Sequence, residues 1–171
     1  LLPTWDLIFY PEGTDGSGSV ELRLNNSETG SSMFARNVQH NMTKLKSQKL
    51  PLYDSNKIWN VLVQRTSGSS GHLNTTSSIE LYVANREDDT LKYFWSGSIA
   101  VTGSASDNFL STGSIYRSGS NLVFGKDPDS NQSTPAATPN GFTGSIGEVR
   151  IWDTPLTASK FYTHVFNYDS V

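Results

Sequence analysis

The feature that most constrains this chain is a two-residue repeat of apolar side chains. Val20, Leu22 and Leu24 alternate with Glu21 and Arg23; Ile79, Leu81 and Val83 alternate with Glu80 and Tyr82; Trp59, Val61 and Val63 share one parity. A strand sends successive side chains to opposite faces, whereas a helix repeats every 3.6 residues. The alternating runs are short. Between them lie stretches rich in Gly, Ser, Asp and Asn, at 12–19, 25–32, 67–77, 85–90, 102–120 and 126–141, and these residues favour turns. Strands are expected at 5–10, 20–24, 33–35, within 37–57, and at 58–66, 79–83, 91–101, 122–124 and 142–152. The pattern fits an all-β chain of roughly ten to twelve short strands folded as an antiparallel two-sheet sandwich. Ile58 and Leu62 carry apolar groups on the parity opposite to Trp59, so 58–66 is expected to be covered on both faces. One short C-terminal helix is expected near 154–162, with Thr157 as its N-cap and Phe161 and Val165 docked on a sheet.

A length of 171 residues suits one domain, 1–171, with enough chain to bury a core without cross-links. Charged residues make up 17% and the net charge is −3. No basic run exists to displace counterions, which argues against nucleic-acid binding. No apolar run reaches the roughly 18–20 residues of a membrane span, so membrane insertion is not expected. The chain has no cysteine, which excludes disulfides and thiolate metal sites. The uncharged polar surface fits work outside cells, and the lack of cysteine leans towards a viral, phage or bacterial source. The abrupt start at Leu1, without Met or a leader-like segment, suggests a piece excised from a longer protein. Sequons at Asn25, Asn41, Asn74 and Asn131 are no more than this Ser/Thr-rich composition produces by chance.

The C-terminal third adds a resemblance. Phe142, Gly144, Ile146, Glu148, Val149, Arg150, Ile151 and Trp152, followed by Leu156, Thr157 and Phe161, resemble the closing strand and helix of laminin-G-like, concanavalin A-like domains. Upstream, 56–66 (NKIWNVLVQRT), 78–85 (SIELYVAN) and 121–127 (NLVFGKD) resemble further strands of that family in the right order, with the opening strands at 5–21. Gly147 stands where the family often has Asp, and Val83-Ala84-Asn85 where it has a Val-Asn-Gly turn. The resemblance implies a jelly-roll sandwich with the short helix at its end.

Glucanases of that fold place carboxylates at alternating strand positions, so that acid and nucleophile share one face. No such run occurs: Glu21 and Glu80 are isolated, and Glu87-Asp88-Asp89 is contiguous in a turn. No Gly-x-Ser-x-Gly precedes a helix, and His40, His72 and His164 are far apart. The chain is therefore read as a binding protein, not an enzyme, with no cofactor required. Asp127, Asp129 and Asn131 offer oxygen ligands at alternate positions, a weak calcium candidate, but Gln132 and Thr138 replace the Gly and Glu of a full calcium loop. The plainer reading of the same residues is a turn-forming loop.

Two regions suit a ligand. Sugar recognition uses a flat aromatic surface beside a few placed polar groups. Tyr93 and Trp95 share one face of their strand, Phe94 the other; with aromatics on both, one set is left for a ligand unless core and loop cover both. Tyr116 and Arg117, flanked by Gly and Ser, suit adaptable recognition, or form a lid on the sandwich edge; Asp107, Asn108 and Asn121 are nearby polar candidates. Glu148 and Arg150 are read as a cross-strand pair. These features point to a lectin-like attachment module for a glycan or cell-surface receptor, on a viral or phage spike or fibre or a bacterial adhesin. Its setting is extracellular or the virion surface, as a homo-oligomer or within a larger assembly. The alternatives are a structural or protein-interaction module, and a carbohydrate-binding module appended to a glycoside hydrolase.

Overall fold

The computed structural model of the chain describes residues 5–25, 42–54, 57–67, 77–101, 124 and 144–167. Within them the chain is mostly strand: β1 (Trp5–Pro11), β2 (Gly18–Asn25), β3 (Met42–Lys46), β4 (Trp59–Ser67), β5 (Ser77–Glu87) and β6 (Thr90–Val101), then one helix, α1 (Ala158–Phe166). Two antiparallel three-stranded sheets result, ordered β1-β2-β3 and β4-β5-β6. The fold is thus all-β with one short helix.

Local chemistry sets the hairpins. The β1–β2 turn passes through Gly13 at φ 102° and Gly16 at φ 75°, backbone that residues with a Cβ rarely adopt. Its ends are tied by the Glu12 N–H donating to the Ser17 carbonyl at 2.8 Å. The β5–β6 turn uses two aspartates, Asp88 at φ 47° and Asp89 at φ 60°. Two consecutive left-handed residues match the twist of the flanking strands, and Asp tolerates this region better than most side chains.

The alternating residues do what their spacing requires. Val20, Leu22 and Leu50 on the side of the first sheet, and Ile79, Leu81 and Val83 on the second, form one buried cluster. Leu7, Phe9, Leu45, Trp59, Val61, Val63, Tyr93, Trp95 and Ile99 pack around it. Leu50 joins β2 through paired 2.7 Å hydrogen bonds with Gly18, which extends the first sheet past β3. The opposite face of the second sheet holds Leu62 and Ala84, covered by Phe161 and Val165 of α1. Strand β4 is therefore covered on both faces.

Thr157 caps α1 by accepting from the Lys160 N–H at 3.2 Å. Gln64 clasps the residue before the cap. Its Nε2 donates to the Leu156 carbonyl at 3.1 Å, and its Oε1 accepts from the Leu156 N–H at 2.8 Å. One amide thus satisfies both backbone polar groups of Leu156 and fixes where the helix starts.

The structure departs from the sequence pattern in the closing segment. Residues 144–152 belong to no strand, and Ile146, Val149, Ile151 and Trp152 are exposed, Ile151 at 84%. Alternation makes a strand only where an edge offers ladder partners. This segment is held instead by side chains: Arg150 Nη1 lies 3.0 Å from His164 Nδ1, and the Trp152 and His164 rings are 5.3 Å apart. Glu148 and Arg150 bond at 2.7 Å as neighbours two residues apart in this segment, not across strands. Ile58 precedes β4 and is exposed, and Phe124 is exposed outside any strand. The strands expected at 33–35 and 122–123 lie outside the described residues.

Candidate functional site

Strand register places one row of side chains across the second sheet. Trp59 on β4 pairs with Asn85 on β5, which pairs with Tyr93 on β6. Their parity matches Val61, Val83 and Trp95, so the row lies on the face turned to the shared cluster. The Trp59 and Tyr93 rings are 5.8 Å apart and tilted by 31°. Asn85 is wholly buried, while both rings are half-buried.

This row is not satisfied from within. Asn85 Nδ2 donates to the Ile58 carbonyl at 2.9 Å, but Asn85 Oδ1 and Trp59 Nε1 are buried without a hydrogen-bond partner. Asn60 Nδ2, next in sequence and on the opposite face, shares that condition. These three are the buried side-chain polar atoms without a partner among the described residues. A buried group left unsatisfied costs roughly 1–3 kcal/mol, so folded proteins keep few. Two of the three fall on directly paired residues of one row.

Charged groups border the row. Lys57 Nζ is 3.0 Å from Asp54 Oδ2 and 3.0 Å from Glu87 Oε1, and lies 5.3 Å from the Tyr93 ring centroid. Its hydrogen bonds to Asp54 and then Glu87 push the ammonium pKa up to about 12. Lys92 stands 3.8 Å from the other oxygen of Glu87. Cations and carboxylates at this rim neutralise each other.

The outer face of the first sheet is a second polar region of opposite character. Ser19, Glu21 and Arg23 take the parity that Val20 and Leu22 leave free, and all three are buried. Glu21 Oε1 accepts from Arg23 Nε at 2.7 Å, and Arg23 also donates to the Tyr10 hydroxyl. Glu12 accepts from Ser19 at 2.6 Å and pairs with Lys46 at 2.5 Å. These contacts, Lys46 first and then Ser19, hold the Glu12 carboxyl below its usual range. Every polar side chain of this face that the structure describes as buried has a partner.

Of the residues singled out from sequence, the structure describes Tyr93 and Trp95. Tyr93 belongs to the row. Trp95 sits against the cluster and folds over Gly97, where a Cβ would lie 2.7 Å from its ring and 3.0 Å from Leu45 of β3. Tyr116, Arg117, Asp107, Asn108, Asn121, Asp127, Asp129 and Asn131 lie outside the described residues. Among the described residues no three His, Asp or Glu side chains gather as metal ligands would, and no helix is long and apolar enough to cross a membrane. Trp59, Asn85 and Lys57 were not evident as site residues from sequence, because each reads alone as an ordinary core or turn residue; the ladder register brings Trp59 and Asn85 to Tyr93, and Lys57 reaches its ring from just ahead of β4. The chain has no significant match to any protein-family model, curated protein or solved structure.

Proposed function

We propose that this chain is a lectin-like attachment module, a jelly-roll domain of the concanavalin A-like type, that binds a glycan or receptor on a cell surface. The observation that carries this reading is the Trp59–Asn85–Tyr93 row: two half-buried rings in register with a buried amide that has an unused acceptor. Flat rings receive the apolar face of a pyranose, and few but fixed polar groups orient its hydroxyls. The parent would be a viral or phage spike or fibre, or a bacterial adhesin, working as a homo-oligomer because avidity multiplies weak single-site binding. Tyr116 and Arg117, with Asp107, Asn108 and Asn121, belong to the same proposal as a second contact, and Asp127, Asp129 and Asn131 as a calcium loop.

The test is a glycan array probed with the domain displayed multivalently, with and without calcium. One glycan class should bind, and Tyr93→Leu should weaken binding roughly tenfold, about 1.4 kcal/mol, with near-UV circular dichroism unchanged. Loss on Tyr116→Ala would place the second contact in the site. Loss on chelation would bring in the 127–131 loop. An empty array in both conditions sinks the reading. The alternative that a specific observation favours is a protein-interaction module, because Ile146, Val149, Ile151 and Trp152 expose apolar surface in one short segment. In that case cross-linking with the parent assembly should report from this segment.

A further inference from the structure

The unused polar atoms of the row define what kind of group fits there. Trp59 Nε1 can only donate, and Asn85 Oδ1 can only accept. Their residues are direct partners in the β4–β5 ladder, so their Cβ atoms stand about 4.5–5.5 Å apart on one face. Neither atom bonds to the other, and neither bonds elsewhere.

We infer that this pair is the reading head of the binding site, built to take one hydroxyl of a neutral pyranose. The inference rests on the lectin-like reading and narrows it to a ligand class. A hydroxyl both donates and accepts, so a single oxygen can accept from the indole N–H and donate to the amide oxygen. A carboxylate or sulfate cannot donate to Asn85 Oδ1. An ammonium cannot accept from Trp59 Nε1. An acetamido group has both functions, but its N–H and C=O point in opposite directions across a planar trans amide, which does not suit two neighbours on one floor. The rim agrees, because Lys57 is already held by Asp54 and Glu87 and Lys92 stands near Glu87, which leaves no unpaired lysine at the rim among the described residues to attract an acidic sugar. Both atoms are buried while the Trp59 and Tyr93 rings are only half-buried, so the hydroxyl enters as a ring gives way. A fixed water making the same two bonds is the competing occupant.

The experiment uses the whole chain with methyl glycosides of glucose, galactose and mannose and their monodeoxy analogues, followed by 1H–15N NMR of the four tryptophan indole N–H signals. The Trp59 signal is assigned by its disappearance in Trp59→Phe, which keeps an aromatic ring and removes the donor. The expected result is a downfield shift of that signal with one parent glycoside. Removing one particular hydroxyl should weaken binding roughly five- to tenfold, and Trp59→Phe should erase that difference. Asn85→Leu, which removes the acceptor, should erase it as well and serves if Trp59→Phe does not fold. If glycosides bind but every deoxy analogue loses equally in wild type and variants, the inference falls while the lectin-like reading stands. A Trp59 signal already at a hydrogen-bonded position and unmoved by sugar means a resident water, which also overturns it. If no glycoside binds and the array is empty, both fall together.

Discussion

The two sheets treat buried polar groups in opposite ways. On the outer face of the first sheet, Glu21 bonds Arg23, and Glu12 bonds both Ser19 and Lys46, so the polar side chains there answer each other. On the inner face of the second, Asn85 is just as buried yet uses only its N–H side, and Trp59 beside it uses nothing. The energetic logic differs accordingly. A closed network repays its desolvation internally and reads as architecture. An open pair of donor and acceptor keeps a standing penalty that calls for an explanation.

The comparison breaks most visibly at Arg23. Removing one member of a buried ion pair leaves its partner charged and unsolvated, which costs about 3–5 kcal/mol. Arg23→Met should therefore lower the stability read by urea unfolding by that amount. The double variant Glu21→Leu with Arg23→Met should recover much of it, since neither charge of that pair is then stranded. A small effect of Arg23→Met alone would show that water reaches this face and that the network is not the closed unit described above.

A smaller effect tests the cover on the other side of the second sheet. Thr157→Ala removes the acceptor for the Lys160 N–H and should cost about 1 kcal/mol. Because the Gln64 clasp and the burial of Phe161 and Val165 remain, α1 should stay docked, with its far-UV circular dichroism preserved. Loss of the helix on this one change would mean that the clasp does not anchor it.

The rim of the row gives an effect seen only at high pH. The Lys57 pKa is raised from 10.5 to about 12 in the folded chain. A group whose folded pKa is raised adds stability that is complete below the unfolded value and is lost as pH rises through the folded one. Stability should therefore fall between about pH 10.5 and 12, and Lys57→Met should flatten that part of the profile. An unchanged slope would mean that Asp54 and Glu87 do not hold the ammonium in solution.

Much of the fold was legible in the chain, and the reason is parity. Val20 and Leu22, Ile79, Leu81 and Val83, and the split of Trp59, Val61 and Val63 from Leu62 all land where a two-residue period sends them. The helix was legible through its cap and through Phe161 and Val165, although it runs Ala158–Phe166 and so past the expected end at 162. The closing segment was misread because alternation says which face a residue takes and not whether an edge is free to pair; 144–152 has the period and no ladder. The Trp59–Asn85–Tyr93 row was hidden for a related reason. Its members are 26 and 8 residues apart, as their positions show, and only the register of two hairpins aligns them. Tyr93 could be picked out as an aromatic, whereas Asn85 looked like part of a turn.

The least disruptive change is the sharpest test of the contrast between the sheets. Asn85→Leu keeps a similar volume and removes an acceptor that has no partner. The bond it gives up runs from Nδ2 to the Ile58 carbonyl, just ahead of β4. Losing an unsatisfied group offsets losing one satisfied bond, and the net change should stay within about 1 kcal/mol of wild type. Arg23→Met on the other sheet, at several times that cost, is the control for what a structural polar residue does. If Asn85→Leu instead costs as much as Arg23→Met, then Asn85 is held by the fold for its own sake, the open pair is architecture like the closed one, and the row loses its claim to a ligand. If it leaves stability untouched while the preference for one sugar hydroxyl disappears, the buried amide is kept for the molecule that completes it.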